Sequence, residues 1–300
     1  MRKRVSVFAA AKVNLYLHVL GRRDDGYHLL DSLVAFADIG DRLTAEPTEA
    51  MTLDVGGPEA AALAGLGDDN LVLRAARLFA AQAGVNTGAA LYLDKRLPIA
   101  AGIGGGSADA AAALHALNQL WGHPLDGDAL ASLGLQLGAD IPACLAGRPV
   151  WVGGIGEQID PAAAMPPLGI LLANPRRPLP TAAVFRARRG PFSDSGRFDP
   201  IPQDPAALVS ALALRHNDLT EAALSLVPEI AAVVECLARL PGALLARMSG
   251  SGATCFALFV DRVAAIRAAA ALAQTEPQWW VRGGSLLSGA APLRRAAELR

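Results

Sequence analysis

Leu97-Pro98-Ile99-Ala100-Ala101-Gly102-Ile103-Gly104-Gly105-Gly106-Ser107-Ala108-Asp109 runs straight into Ala110-Ala111-Ala112-Ala113-Leu114. Glycines let backbone amides approach a ligand and face one anion together. The alanine-rich helix that follows, predicted to reach about Trp121, adds free N–H groups and the positive end of its dipole. Together they read as a phosphate cradle. The familiar cradles do not fit. A Walker loop needs Lys before Ser/Thr, where Gly106 stands. The dinucleotide fingerprint wants Gly or Ala at Ser107, directly after a strand, and Pro98 intervenes. A serine-hydrolase elbow needs Gly at Asp109. The plain alternative is a glycine loop that lets a helix pack closely. This stretch alone leaves both readings open.

Upstream, residues 5–20 alternate, with Lys12, Asn14, Tyr16 and His18 on one face and Val13, Leu15, Leu17 and Val19 on the other. That predicts a half-buried strand with a polar face. Arg22-Arg23-Asp24-Asp25-Gly26 is a turn, and Leu29–Leu43 and Met51–Val55 read as further strands. Asp68-Asp69-Asn70 can cap a helix over about 71–83. Ala89–Asp94 is strand-like and leads into the glycine loop; a helix follows over Asp126–Leu137. Residues 161–205, rich in Pro and Arg, read as a connector with a strand near Gly169–Ala173 and a short helix near Thr181–Arg188. Helices are expected near 204–214, 217–226 and 229–240, then strands Ala243–Met248 and Thr254–Val260, helix Val263–Leu272 and strand Trp279–Leu286. This order predicts an α+β chain in two domains, 1–160 and 161–300.

The 300 residues are 52% hydrophobic and 18% charged, which excludes a disordered chain. Lys+Arg is 27 against Asp+Glu 28, a net charge of -1. That balance argues against a nucleic-acid or membrane-surface partner. A small polyanionic substrate needs only a local positive site. Cys144, Cys236 and Cys255 are far apart and odd in number, which suggests reduced, buried thiols and no disulfide frame. The basic start Met1-Arg2-Lys3-Arg4 meets Lys12 too soon to leave room for a signal-peptide core, so a cytoplasmic chain is expected. No histidine or cysteine spacing suggests a transition metal.

Other segments are ambiguous alone. Asp140 in Gly138-Ala139-Asp140-Ile141-Pro142 could cap the next helix, and Lys12 could be a surface lysine. His18, His115, His123 and His216 read as turn or surface residues. Met248-Ser249-Gly250-Ser251-Gly252-Ala253-Thr254 is either a hairpin turn or a second anion-facing loop.

In combination these pieces resemble a superfamily. Lys-x-Asn on a strand, the Pro98–Ala108 loop with its helix, and the Ser249–Ala253 loop are similar to galactokinase, homoserine kinase, mevalonate kinase and phosphomevalonate kinase. The match narrows with Ala11-Lys12-Val13-Asn14-Leu15, Asp25-Gly26-Tyr27-His28-Leu29-Leu30, Gly104-Gly105-Gly106, Gly138–Pro142, Gly154-Ile155-Gly156-Glu157 and His216-Asn217-Asp218-Leu219. These resemble the 4-diphosphocytidyl-2-C-methyl-D-erythritol kinase family. The resemblance implies the two-domain GHMP small-molecule kinase fold, with a cleft between the domains. It implies ATP and Mg²⁺, with Ser107 as a metal-ligand candidate, and an acceptor carrying a cytidine diphosphate group. Lys12 and Asp140 match the catalytic pair, and Pro98, Ile99, Ala100, Ala101, Gly102, Ile103, Gly104, Gly105, Gly106, Ser107 and Ala108 match the ATP loop. Tyr27, His28 and Phe185 match positions that hold the cytosine, while Asn14 can orient Asp140 or the substrate. Pro180 departs from the pattern, since relatives often carry a small hydroxyl residue there. The competing readings are a kinase of another small alcohol, of the homoserine or mevalonate type, and a regulator that binds nucleotide without catalysis.

Overall fold

The computed structural model describes residues 3–65 and 67–289, so Met1 and Arg2 of the basic start lie outside the described residues. The first half contains β1 (Val5–Arg22), β2 (His28–Thr48), β3 (Thr52–Gly56), α1 (Leu71–Ala83), β4 (Gly88–Asp94) and α2 (Gly105–Leu120). It ends with α3 (Gly127–Leu137), α4 (Ile141–Ala146), β5 (Val150–Gly153) and β6 (Gln158–Pro161). The second half has β7 (Gly169–Asn174), α5 (Thr181–Ala187), α6 (Pro205–Ala213), α7 (Thr220–Leu226) and α8 (Glu229–Arg239). It closes with β8 (Leu245–Met248), β9 (Cys255–Phe259), α9 (Arg262–Thr275) and β10 (Trp280–Ser285). The fold is α+β.

The first sheet runs β3-β4-β2-β5-β6, with β1 paired along β2; the second runs β10-β7-β9-β8. Strands β5 and β6 were not expected from the sequence, whereas α4 is the helix that Asp140 was read as able to cap. Asn70 caps α1 as predicted, its side-chain oxygen accepting from the Val72 N–H at 2.9 Å; the side chain of Asp68 lies outside the described residues. One core binds the halves: Val13, Leu15 and Leu33 pack with Ile170, Phe256, Leu258 and Trp280. Helix α2 is buried nearly all round, and its alanines let it lie close to β1, β2, α1 and α4.

Strand β1 departs from its expected half-polar pattern. It is buried on both faces from Ala9 to Val19. Its pairing with β2 shifts register between Ala10 and Lys12, Asn14 and Tyr16, and Val19 and Gly21. The second and third shifts each add one residue on β1, which re-aims the side chains beyond it. Lys12 and Asn14 therefore line the central cleft, but after the second bulge Leu17 takes that role. Tyr16 turns inward to donate to Asp31 at 3.0 Å, and His18 is buried beside it rather than at the surface.

A buried ionic cluster fixes the glycine loop from beneath. The Lys95 ammonium donates to Asp41 Oδ2 and to Asp109 Oδ2, both at 2.6 Å. Asp41 Oδ1 accepts the backbone N–H of Arg96 (2.5 Å) and of Leu97 (2.8 Å), which set the entry to the loop. One carboxylate pair and one ammonium thus tie β2, the loop entry and α2 together. Removing a member of such a cluster typically costs about 3–5 kcal/mol. Burial pushes the Asp109 carboxyl up to about 8, aided by Asp41 and opposed by Lys95. Burial disfavours the Lys95 charge, but Asp109 and Asp41 outweigh it and hold Lys95 above the ordinary lysine value. A protonated Asp109 leaves the cluster neutral.

Stability inherits a pH dependence from this cluster. The folded chain keeps a proton on Asp109 up to about pH 8, while the unfolded chain releases it near 3.8. The folded state binds more protons across that window, so this group's stabilisation is greatest below it and is lost as pH rises through about 8. Between about pH 6 and about pH 9 the melting temperature of the wild type should fall more steeply than that of Asp109→Asn. Parallel melting curves for the two proteins would show that Asp109 holds no such proton.

Candidate active site

The glycine loop and the second-half hairpin loop are pressed together, which explains much of their composition. Gly102 has φ +72°, and a Cβ there would lie 2.6 Å from the carbonyl oxygens of Ser249 and Gly252. Facing it, a Cβ on Gly250 would lie 2.7 Å from the Gly102 carbonyl oxygen. Ser249 Oγ donates to the Gly102 carbonyl and accepts the Asn14 N–H, both at 3.1 Å. The Thr254 N–H donates to the Ala101 carbonyl at 3.0 Å. Asn217 donates to the carbonyls of Met248 (2.9 Å) and Gly250 (2.8 Å). Residues 249–254 therefore form a hairpin loop that buttresses the first loop, although Gly250 and Ser251 also reach the cleft.

A cleft of about 1060 Å³ opens between the halves. Its walls include Lys12, Asn14, Gly102, Gly104–Ser107 and Asp140 from the first half, and Thr181, Phe185 and Ser251 from the second. Ala100 and Ala101 also line it. Pro98, Ile103 and Ala108 are buried and support the loop from behind, while Ile99 is exposed.

Asp140 occupies the N-cap position of α4 but makes no capping bond with its side chain. Its Oδ1 instead accepts from the Lys12 ammonium at 2.9 Å. The Lys12 side chain is 7% exposed and that of Asp140 48%, so the pair has a buried cation and an accessible carboxylate. The Lys12 stem runs along Gly104, where a Cβ would come within 3.1 Å of Lys12 Cβ. Asn14 lies close by, but its amide donates to Ser32 Oγ at 2.8 Å and not to Asp140. Its Oδ1 is buried without a hydrogen-bond partner.

At the far end of the cleft, His28 and Phe185 stack with ring centroids 5.2 Å apart and planes 27° from parallel. Tyr27 is 60% exposed on the rim. Burial first, then the charges of Arg22 and Arg188, push His28 below its ordinary value. Pro180 sits at the cap position of α5, and the hydroxyl of Thr181 bonds with Ser251 Oγ at 2.9 Å.

Several site-shaping groups escaped the sequence reading. The sequence reading gave Lys95, Asp41 and Asp109 no role, and only the topology unites them. Asp31 accepts from Tyr16, Ser195 and the backbone of Gly196, pinning the connector to β1. The cysteines are not uniformly buried: Cys255 is, while Cys144 and Cys236 are half-buried. Both sit at partly covered element surfaces, where apolar neighbours alone suggested a core.

Residues 70–148 match the family described as GHMP kinases N terminal domain, and residues 203–278 match GHMP kinases C terminal. A relative from Paramagnetospirillum magneticum, named 4-diphosphocytidyl-2-C-methyl-D-erythritol kinase, is 51% identical over 94% of this chain and 99% of its own. A crystal structure of 4-(cytidine 5'-diphospho)-2C-methyl-D-erythritol kinase superposes with a TM-score of 0.77 at 37% identity, covering 95% of this chain and all (100%) of that one. A homoserine kinase from Cytophaga hutchinsonii shares the fold at 18% identity, with a TM-score of 0.71 over 96% of each chain. With the glycine loop, the Lys12–Asp140 pair and the two-sheet fold in place, the chain belongs to the GHMP kinases and, among them, to the 4-diphosphocytidyl-2-C-methyl-D-erythritol kinase family.

Proposed function

We propose that this chain transfers the γ-phosphoryl group of ATP to the 2-hydroxyl of 4-diphosphocytidyl-2-C-methyl-D-erythritol, with Lys12 and Asp140 as the catalytic pair. This is a step of non-mevalonate isoprenoid synthesis. The observation that carries the reading is the 2.9 Å ion pair between Lys12 and Asp140, held beside the glycine loop in the cleft.

Phosphoryl transfer needs a positioned hydroxyl, neutralised charge on the γ-phosphate and in-line approach. The acceptor oxygen attacks phosphorus as the bond to ADP breaks, and its proton passes to the accessible carboxylate of Asp140. The Lys12 ammonium fixes that carboxylate and faces the oxygen on which charge develops. Asn14, its amide held by Ser32, lines the cleft beside this pair. The amides of Gly104–Ser107 and the N-terminal end of α2 receive the ATP phosphates.

Among the described residues no three His, Cys, Asp or Glu side chains group to hold a metal. One cleft hydroxyl, Ser107, fits Mg²⁺, which keeps several waters and takes most of its ligands from phosphate. Bound there, the ion would supply positive charge to the ATP phosphates. At the far end, the cytosine stacks against Tyr27 and Phe185, and His28 reads its polar edge. The unpaired cysteines suit a reducing, cytoplasmic setting. No helix among the described residues is long and apolar enough to cross a membrane.

Lys12→Ala and Asp140→Ala should each lower kcat by on the order of a thousandfold or more while the fold is kept. Near-normal kcat in a folded Asp140→Ala enzyme would remove Asp140 from the mechanism.

The loop glycines separate two effects. A Cβ on Gly105 would meet Lys95 Nζ at 3.2 Å, on the protein side, whereas one on Gly106 meets nothing within 4 Å. Gly106→Val should therefore fold and raise KM for ATP by about tenfold or more, leaving KM for the acceptor nearly unchanged. An equal rise in both KM values would count against a phosphate role for this turn.

Aromatic stacking on a base is worth about 1–3 kcal/mol, so Tyr27→Ala should raise KM for the cytidine acceptor roughly tenfold to a hundredfold with little change for ATP. His28→Ala should relax discrimination between cytidine and uridine acceptors. A stable Tyr27→Ala enzyme with unchanged KM would falsify the stacking role.

A further inference from the structure

The chain carries a net charge of -1, yet the cleft wall holds Lys12, Arg22, Arg186, Arg188 and Arg189 against only two carboxylates, Asp25 and Asp140. Both carboxylates are engaged: Asp140 with Lys12 at 2.9 Å and Asp25 with Arg23 at 2.7 Å. Among the described residues the four lining arginines hydrogen-bond only to backbone carbonyls, and Arg188 also lies 4.9 Å over the Phe192 ring. Arg22 donates to Gly26 and Arg186 to Ala182. Arg188 donates to Gly190 and Pro191, and Arg189 to Arg186 and Arg188. Arg188 Nε is buried with no partner at all. Like charges gathered without counter-charge repel one another, and an anionic ligand relieves that cost.

Their placement selects one end of the cleft. Arg22 ends β1 and opens the turn to Tyr27 and His28, whereas Arg186–Arg189 follow Phe185 at the end of α5. The two groups come from different halves of the chain and converge on the His28–Phe185 stack. Arg22 and Arg188 both lie near enough for their charges to act on His28. The ATP loop, by contrast, contains neither Lys nor Arg from Pro98 to Ala108. It binds anions through backbone amides.

We propose that Arg22 and Arg188, supported by the field of Arg186 and Arg189, form the subsite for the diphosphate of the acceptor. This rests on the reading that the acceptor's base lies at His28 and Phe185. A diphosphate attached to a base there is carried past both guanidiniums on its way to Lys12 and Asp140. Guanidinium forks match phosphate oxygens in paired hydrogen bonds. Recognition is thus split: the rings read the base, and the arginines read the charge beside it.

Calorimetric titration of wild type, Arg22→Gln and Arg188→Gln with CDP, cytidine, UDP and ADP tests this. Wild type should bind CDP about tenfold or more tightly than cytidine, and each variant should lose most of that gain. Cytidine and ADP affinities should stay within about twofold, and the CDP preference should shrink as salt rises from about 50 to about 500 mM. If replacing Arg188 loosens residues 188–192, Arg22→Gln carries the test alone, because Arg22 is exposed and its one bond is to the neighbouring turn. Cytidine binding with no gain for CDP would overturn the diphosphate subsite and leave the base reading standing. Equal losses for CDP and cytidine, or a larger loss for ADP, would also overturn it. CDP and UDP binding alike, with the arginine dependence intact, would overturn the base reading and support the subsite.

Discussion

The free edge of β1 is the constraint on which the site depends. One edge of this strand pairs with β2, and the other would be an open row of donors and acceptors. Loops from both halves fill it. The Lys12 N–H donates to the Ile103 carbonyl and the Leu17 N–H to the His216 carbonyl, each at 3.0 Å. The Asn14 N–H goes to Ser249 Oγ at 3.1 Å, and the Val19 N–H to Asp218 Oδ2 at 2.6 Å. The Leu15 carbonyl takes Arg247 at 2.7 Å. Every buried backbone group must find a partner, so the strand that carries Lys12 fixes the glycine loop and the hairpin loop to itself. The cleft lies where it does because the loops on either side are bonded to one strand.

That arrangement explains the pressure for small residues. Gly102 and Gly250 face each other with no room for a Cβ on either, and the Lys12 stem passes over Gly104. Backbone packing at this density transmits position without relying on flexible side chains. The buried Asp41–Lys95–Asp109 cluster does the same work from below. An ammonium held between two carboxylates can fix one geometry, whereas a single unpaired charge there would be expelled or neutralised.

Much of the fold was legible because glycine, alternation and caps are local signals. The Pro98–Ala108 loop, the helix after it, the Asn70 cap and the β8–β9 hairpin need no distant partner to be recognised. The bulges in β1 were not legible, since an inserted residue leaves the alternation of polar and apolar letters almost intact while reversing which of them faces the cleft. Tyr16 and His18 were therefore placed with Lys12 and Asn14, and Leu17 was not. Asp140 shows a different limit. Its sequence setting is that of a helix cap, and only the approach of Lys12, 128 residues away, turns it to another use. Lys95 and the four arginines are charges whose meaning depends entirely on how the chain folds over them.

The two ends of the cleft differ in how much order they already possess. At the phosphate end the groups are backbone amides, fixed by the β1 edge and the buried cluster, so binding there loses little conformational freedom. At the acceptor end the groups are long or exposed: Tyr27, Arg22, Arg186 and Arg189 are exposed on the rim. Each such side chain costs about 0.5–1.5 kcal/mol to immobilise. On the proposed reading, an acceptor supplies that ordering energy from its base and its charge together, so a fragment with only one of the two binds weakly. A small alcohol lacking both would then meet a preformed phosphate end and an unfilled, self-repelling far wall. Under that reading the exposure and charge of the rim select against such acceptors, while the rigidity needed for in-line transfer is kept at the other end.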